Sequence, residues 1–262
     1  MVSWTGHILP VVAAIAIWFF ATGLIAWMDN RERATFPRSL MLAGLGGVAG
    51  LVIVTVSMAS STIASVYWSF AGAILIWAWH EVGFLTGAIA GPRREACPAG
   101  VNVWERFAHA SSALAWHELA LAMTALLLLS LAWNAPNQVA AMAFLLLFCL
   151  RLSTKLAIFA GVPNMNTDIM PPHLGYLKSY FGAPRLTVML CLSIAASLAL
   201  AIWLGTVAAA APAGSAEAAG ASLLFALAAL GALEHLFLAL PLRDGALWGW
   251  ALPARSRNSI GS

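Results

Sequence analysis

All thirteen Lys and Arg residues of this chain fall into four groups separated by long apolar stretches, and that alternation limits the fold more than any other feature. The groups are Arg31, Arg33 and Arg38; Arg93, Arg94 and Arg106; Arg151, Lys155, Lys178 and Arg185; and Arg243, Arg255 and Arg257. Between and before them run seven stretches long enough to cross roughly 30 Å of hydrocarbon, which takes about 20 mostly apolar residues. They span approximately residues 8–28, 40–60, 64–90, 108–133, 139–161, 186–209 and 220–240. Each basic group follows an odd-numbered stretch, so all four can face one side of a membrane. The positive-inside rule puts that side in the cytoplasm and the N-terminus outside. The expected fold is all-α, a polytopic seven-transmembrane-helix bundle with a cytoplasmic C-terminus, forming one domain over 1–262.

Composition excludes the soluble classes. The chain is 62% hydrophobic and 9% charged, with a mean hydropathy of +0.88, far from a soluble domain. A net charge of +3 is spread thinly among the loops and forms no stripe, so the lipid bilayer and its anionic headgroups are expected partners and nucleic acid is not. Cys97, Cys149 and Cys191 show no paired spacing for metal or disulfide. No Lys or Arg precedes the first stretch, which therefore reads as a retained span rather than a cleaved signal.

The connections on the outer side are short, whereas one inner connection is elaborate. Residues 162–185 are expected to form a cytoplasmic interfacial loop whose second half coils into a short helix, with Leu174, Leu177 and Phe181 on one face. It serves either as a linker in the headgroup plane or as a docking surface, for which Pro171, His173, Tyr176, Lys178, Tyr180 and Phe181 are the candidates. In the second stretch, Gly44, Gly46, Gly47 and Gly50 permit close helix approach, either between two chains or against the third helix.

Ionisable groups inside the membrane are costly and normally functional. Three helices each carry an adjacent pair: His80-Glu81, His117-Glu118 and Glu234-His235. At about 1.5 Å rise per residue, all three lie at similar depth, in the half nearer the basic loops. Arg151 and Lys155, i and i+4 on the fifth helix, reach a comparable level and can pair with Glu81, Glu118 or Glu234. A polar network of Glu81, Glu118, Arg151, Lys155 and Glu234 is expected. The bland reading is that it holds the helices together; the sharper one makes His80, His117 and His235 ligands of a cofactor. A metal site drawn from His80, Glu81, His117, Glu118, Glu234 and His235 is the alternative. Against it, neighbouring residues on a helix point about 100° apart, and neither a His-Glu-x-x-His nor a Glu-x-x-His pattern occurs. No catalytic residue can be assigned.

These strings resemble a known family. Trp79-His80-Glu81-Val82-Gly83-Phe84-Leu85-Thr86-Gly87, Gly91-Pro92-Arg93-Arg94 with Cys97-Pro98, His117-Glu118-Leu119-Ala120-Leu121 and Arg151-Leu152-Ser153-Thr154-Lys155-Leu156 are similar to PuhE, a photosynthetic complex assembly protein of purple and related phototrophic bacteria. Pro171-Pro172-His173-Leu174 and Tyr176-Leu177-Lys178-Ser179-Tyr180-Phe181 fit the same likeness, which runs from the third helix to the loop before the sixth. The resemblance implies a multi-pass protein of the bacterial inner (intracytoplasmic) membrane that assists assembly of the reaction centre and core antenna. Its implied partners are reaction-centre or light-harvesting subunits or other assembly factors. The implied cofactor is bacteriochlorophyll or a precursor tetrapyrrole, ahead of iron or zinc. A membrane-embedded metalloenzyme of pigment biosynthesis is the alternative function. A transporter ranks last, since no internal repeat is present, and the seventh helix lacks the Lys a retinal protein needs.

Overall fold

A computed structural model describes residues 2–165, 170–241 and 248–251. Seven helices, each long and apolar enough to span a membrane, make up the described chain: α1 Leu9–Asp29, α2 Phe36–Ser57, α3 Ile63–Leu85, α4 Val103–Ala132, α5 Val139–Ala160, α6 Val188–Ala210 and α7 Ala216–Ala239. A wide turn, Trp4–Ile8, leads into α1, and a 3₁₀ helix, Pro172–Tyr180, lies between α5 and α6. The described residues contain no strand. Arg243, Arg255 and Arg257 lie outside the described residues, as do 166–169 of the long loop.

Two helices form the centre. Half of the apolar stretch of α3 and of α7 is buried, 50% in each, against 17–33% in the other five. Small residues allow this. Gly50 of α2 lies against the Gly72 carbonyl of α3, Gly47 lies against Trp79, and Gly205 of α6 against Phe225 of α7, so a side chain at those positions would collide. The glycine run of α2 therefore packs α2 on α3 within one chain. Phe70, Phe144, Leu121, Leu128, Leu223 and Leu227 fill the space between α3, α4, α5 and α7. The outward faces carry residues such as Phe20, Leu45, Met123 and Ile202 in the open. Lipid tails make such a surface stable, where water would not.

Two boundaries depart most from the apolar pattern. The third helix stops at Leu85, short of Ala90, because Gly87 turns left-handed at φ 80° and the Gly87 and Ile89 N–H groups bond back to the Phe84 and Gly83 carbonyls, a glycine-terminated helix end. The fourth starts at Val103, before its apolar stretch. There Asn102 accepts from the Trp104 and Glu105 N–H groups while Glu105 accepts from the Asn102 N–H, and this reciprocal cap sets the start more firmly than hydropathy does. Between them the chain doubles back along α4. Gly91 lies against the Ser112 and Ala113 backbone, and the Ala90 carbonyl accepts the His117 N–H at 3.1 Å.

The α1–α2, α3–α4 and α5–α6 connections meet at one end of the bundle. The 3₁₀ helix buries Leu174, Leu177 and Tyr180 against Phe84, Ala90 and Ala113. This differs from the helix expected in the headgroup plane: the apolar positions repeat every three residues, as a 3₁₀ helix requires, and they face the bundle. Tyr180, rather than Phe181, completes the buried row. Two arginines clamp it. Arg93 Nε donates to the Tyr180 hydroxyl at 2.8 Å, and Arg106 donates to the Phe181 and Phe159 carbonyls at 3.1 Å each. At the opposite end the links are neutral: His7 Nε2 donates to the Ala208 carbonyl at 2.9 Å and Asn137 Nδ2 to the Ser57 carbonyl at 3.2 Å. Trp248, which its position assigns to an aromatic belt, is instead buried on α1, its indole N–H bonded to the Phe19 carbonyl at 3.0 Å.

Candidate functional site

Charged and polar side chains of α1, α3, α4 and α5 gather in the half of the bundle below the 3₁₀ helix. Glu81, 6% exposed, is the hub. Arg151 Nη2 of α5 lies 3.4 Å from Glu81 Oε2, and His117 Nε2 of α4 lies 4.0 Å from Glu81 Oε1, beyond hydrogen-bond reach. One helical turn along α5, Lys155 pairs with Glu118, and its ammonium sits 5.6 Å above the Phe84 ring. The i, i+4 spacing of Arg151 and Lys155 thus meets two carboxylates on two different helices. Glu234 of α7, half-buried, adds its charge near Arg151. The network expected of Glu81, Glu118, Arg151, Lys155 and Glu234 is brought together around α5.

The three histidines are not equivalent. His80 is hydrogen-bonded through Nε2 to Thr124 of α4 at 2.9 Å, while its Nδ1 is buried without a partner. His117 is 0% exposed and neither ring nitrogen has a hydrogen-bond partner. Phe84 stacks on its face at 4.6 Å between ring centroids, so only the in-plane nitrogens remain available. His235 is fully bonded: Nδ1 donates to the Gly231 carbonyl at 2.7 Å, and Nε2 accepts from the Ser153 hydroxyl at 3.1 Å. Ser153 is two residues from Arg151, about 200° around the helix. His235 therefore meets α5 at Ser153 and Thr154 rather than at Arg151, and bonds to neither Glu81 nor His117. His80 and His117 share one site; His235 belongs to another.

A further carboxylate joins the first site. Asp29, at the end of α1, is 2% exposed, neither of its oxygens is hydrogen-bonded, and its charge interacts with that of Glu81. Sequence reasoning passed over it because a helix-terminal Asp beside Arg31 reads as an interfacial residue. Thr124 was also missed, although its place seven residues after His117 puts it on the same face of α4. With Glu81 Oε1 and Glu118 Oε2, the unpartnered buried atoms now cover α1, α3 and α4. Buried polar atoms are normally bonded. Four carboxylates, Asp29, Glu81, Glu118 and Glu234, share two fixed cations here, so the site has spare capacity for a proton, water or a polar ligand. Among the described residues, no three of His, Cys, Asp and Glu converge as metal ligands must.

The loop candidates split by burial. Pro171 and Tyr180 are buried within the chain, the latter under Arg93; His173, Tyr176 and Phe181 are half-buried; Lys178 is exposed. His173 Nε2 donates to the Leu85 carbonyl at 2.7 Å, bonding one of the carbonyls that a helix end leaves free. Burial pushes its imidazole below the usual range against that bond's pull, and Arg33 adds to the lowering.

This chain belongs to the family described as protein of unknown function DUF3623, whose pattern matches residues 4–259. It is 34% identical over 251 residues to an "uncharacterized 30.4 kDa protein in puhA 5'region" of Rhodobacter capsulatus, with 94% of this chain and 91% of that relative covered. No solved structure matches it.

Proposed function

We propose that this protein is an integral membrane factor for assembly of the photosynthetic reaction centre and its core antenna, and that the Glu81–His117 site handles bacteriochlorophyll or a precursor tetrapyrrole. It sits in the bacterial inner membrane with its basic end in the cytoplasm. The relative in the puhA region supports the photosynthetic setting, as does the resemblance to PuhE. His117 carries the ligand reading: a fully buried imidazole with both nitrogens free is a costly arrangement that a ligand relieves. Its donor chemistry fits the group, since neutral imidazole is a good axial ligand and Glu81 beside it can orient the ring. Bound there, the group would supply a central metal for His117 to hold. The chain's own residues do the rest: Arg151 fixes Glu81, Lys155 fixes Glu118, and Phe84 closes one face of His117.

The metalloenzyme alternative needs three converging ligands, and the described residues offer none. The assembly reading is tested by replacing the gene in a phototrophic host with a deletion, with His117→Leu or with Glu81→Gln, while chain level is followed by immunoblot. Loss of assembled core complex, with normal amounts of each variant chain, is expected. A deletion strain with wild-type core complex would overturn the assembly role. Variant chains that assemble the complex normally, or a wild-type chain that never copurifies with pigment from that host, would overturn the role of the site.

A further inference from the structure

The second site lies at the basic end, above α3. A recess of about 260 Å³ is lined by Arg33, Phe36, Gly87, Arg94, His173 and Tyr176, among others. Its polar groups come from three separate segments: Arg33 from the α1–α2 link, Arg94 from the α3–α4 link, and His173 and Tyr176 from the 3₁₀ helix. Four of the basic residues at this end of the bundle divide by task. Arg93 and Arg106 are committed to Tyr180 and to loop carbonyls, whereas among the described residues neither Arg33 nor Arg94 has a carboxylate or hydrogen-bond partner. Both stand on the rim of the same recess.

Tyr176 lines the recess with its hydroxyl sealed from solvent. Phe36 packs on His173 at 5.5 Å between ring centroids and gives the recess an apolar wall. Gly87, left-handed and without a side chain, leaves the edge of His173 uncovered. Two free guanidinium groups and an apolar wall suit an anion with more than one acceptor oxygen.

We infer that this recess binds a phosphate group through Arg33 and Arg94, with the headgroup of an anionic phospholipid as the source that the apolar wall favours. Occupancy would reach the buried site through packing: Leu174 also lines the recess and clusters with Phe84, which stacks on His117. The inference does not rest on the assembly role and is read by binding alone.

The full chain, purified in detergent and delipidated, is titrated with phosphatidylglycerol, with phosphatidylcholine of the same chain length and with inorganic phosphate, read by native mass spectrometry and calorimetry. An Arg33→Gln, Arg94→Gln double variant is compared with an Arg31→Gln, Arg38→Gln double variant, which removes equal charge outside the recess. Both replace exposed side chains, so melting temperatures are expected to match the parent's. The recess variant is expected to weaken phosphatidylglycerol binding by about tenfold or more, as the loss of two charge-assisted contacts requires, and the control to leave it near the parent's. Inorganic phosphate that binds saturably and competes with the lipid at equal affinity supports the phosphate site and assigns it to free phosphate. Equal weakening by both double variants, or phosphatidylcholine binding as tightly as phosphatidylglycerol, would overturn the proposal, as would no saturable binding of any phosphate.

Discussion

His117 and His235 are both fully buried in the same bundle and differ in nearly everything else. His235 spends both ring nitrogens, one on Gly231 a turn back along its own helix and one on Ser153 of α5, against which it packs. His117 spends neither, although Glu81 Oε1 lies only 4.0 Å from its Nε2. A satisfied buried imidazole holds helices together, whereas an unsatisfied one is a cost carried for something else. Residue type and depth are the same in the two cases; the difference lies in what the neighbouring helix presents.

The largest effect on stability is expected from Glu81→Ala. It strands Arg151 and leaves His117 without its nearest charge, and breaking such a pair costs on the order of 3 kcal/mol, moderated here because the Arg151 side chain is 39% exposed. Melting in detergent measures it, and a loss no larger than that of a surface substitution would remove Glu81 as the hub. Next comes His235→Leu, which deprives the Ser153 hydroxyl of its acceptor and the Gly231 carbonyl of a donor; about 1–3 kcal/mol is expected. Core complex formation should then fall only in proportion to chain level. A functional defect at full chain level would show that His235 is more than a brace.

A smaller effect depends on pH. The His173 imidazole is lowered by burial, so the folded loop binds fewer protons than the unfolded one. Its contribution is complete above about pH 6.5 and is lost as pH falls through the lowered folded value. Hydrogen-exchange protection across 172–180, corrected for the intrinsic exchange rate at each pH, should therefore fall on acidification, and His173→Gln should flatten that dependence. An unchanged pH profile in the variant would assign the effect to another group.

The smallest effect on stability is expected from His117→Leu, within about 1 kcal/mol, because no hydrogen bond is lost and the Phe84 ring offers the new side chain an apolar contact. Its effect on function is expected to be large. A strongly destabilised His117→Leu chain would erase the contrast with His235 and make both histidines structural.

Much of the fold was legible in one dimension. A span announces itself by length and hydropathy because the bilayer imposes both, and the pairing of Arg151 and Lys155 with carboxylates followed from i, i+4 spacing and depth. The helix ends were less so: Leu85 and Val103 are set by Gly87 and by the Asn102–Glu105 cap, which apolar averaging overlooks. Asp29 was illegible as a site residue, since nothing along the chain says that the end of α1 is covered.

By itself, then, the sequence determined the number of helices, the sharing of one side by the basic links, and the depth of the His-Glu pairs, all of which follow from solvation of the chain by lipid and water. Only the tertiary structure decided which face each polar residue turns to whom. Glycine contacts brought α2 onto α3, Ser153 and Thr154 of α5 engaged His235 apart from His117, and the clamped 3₁₀ helix turned an expected surface segment into a lid on α3 and α4. Those outcomes depend on helix rotation and close packing, which adjacent residues in a chain do not encode.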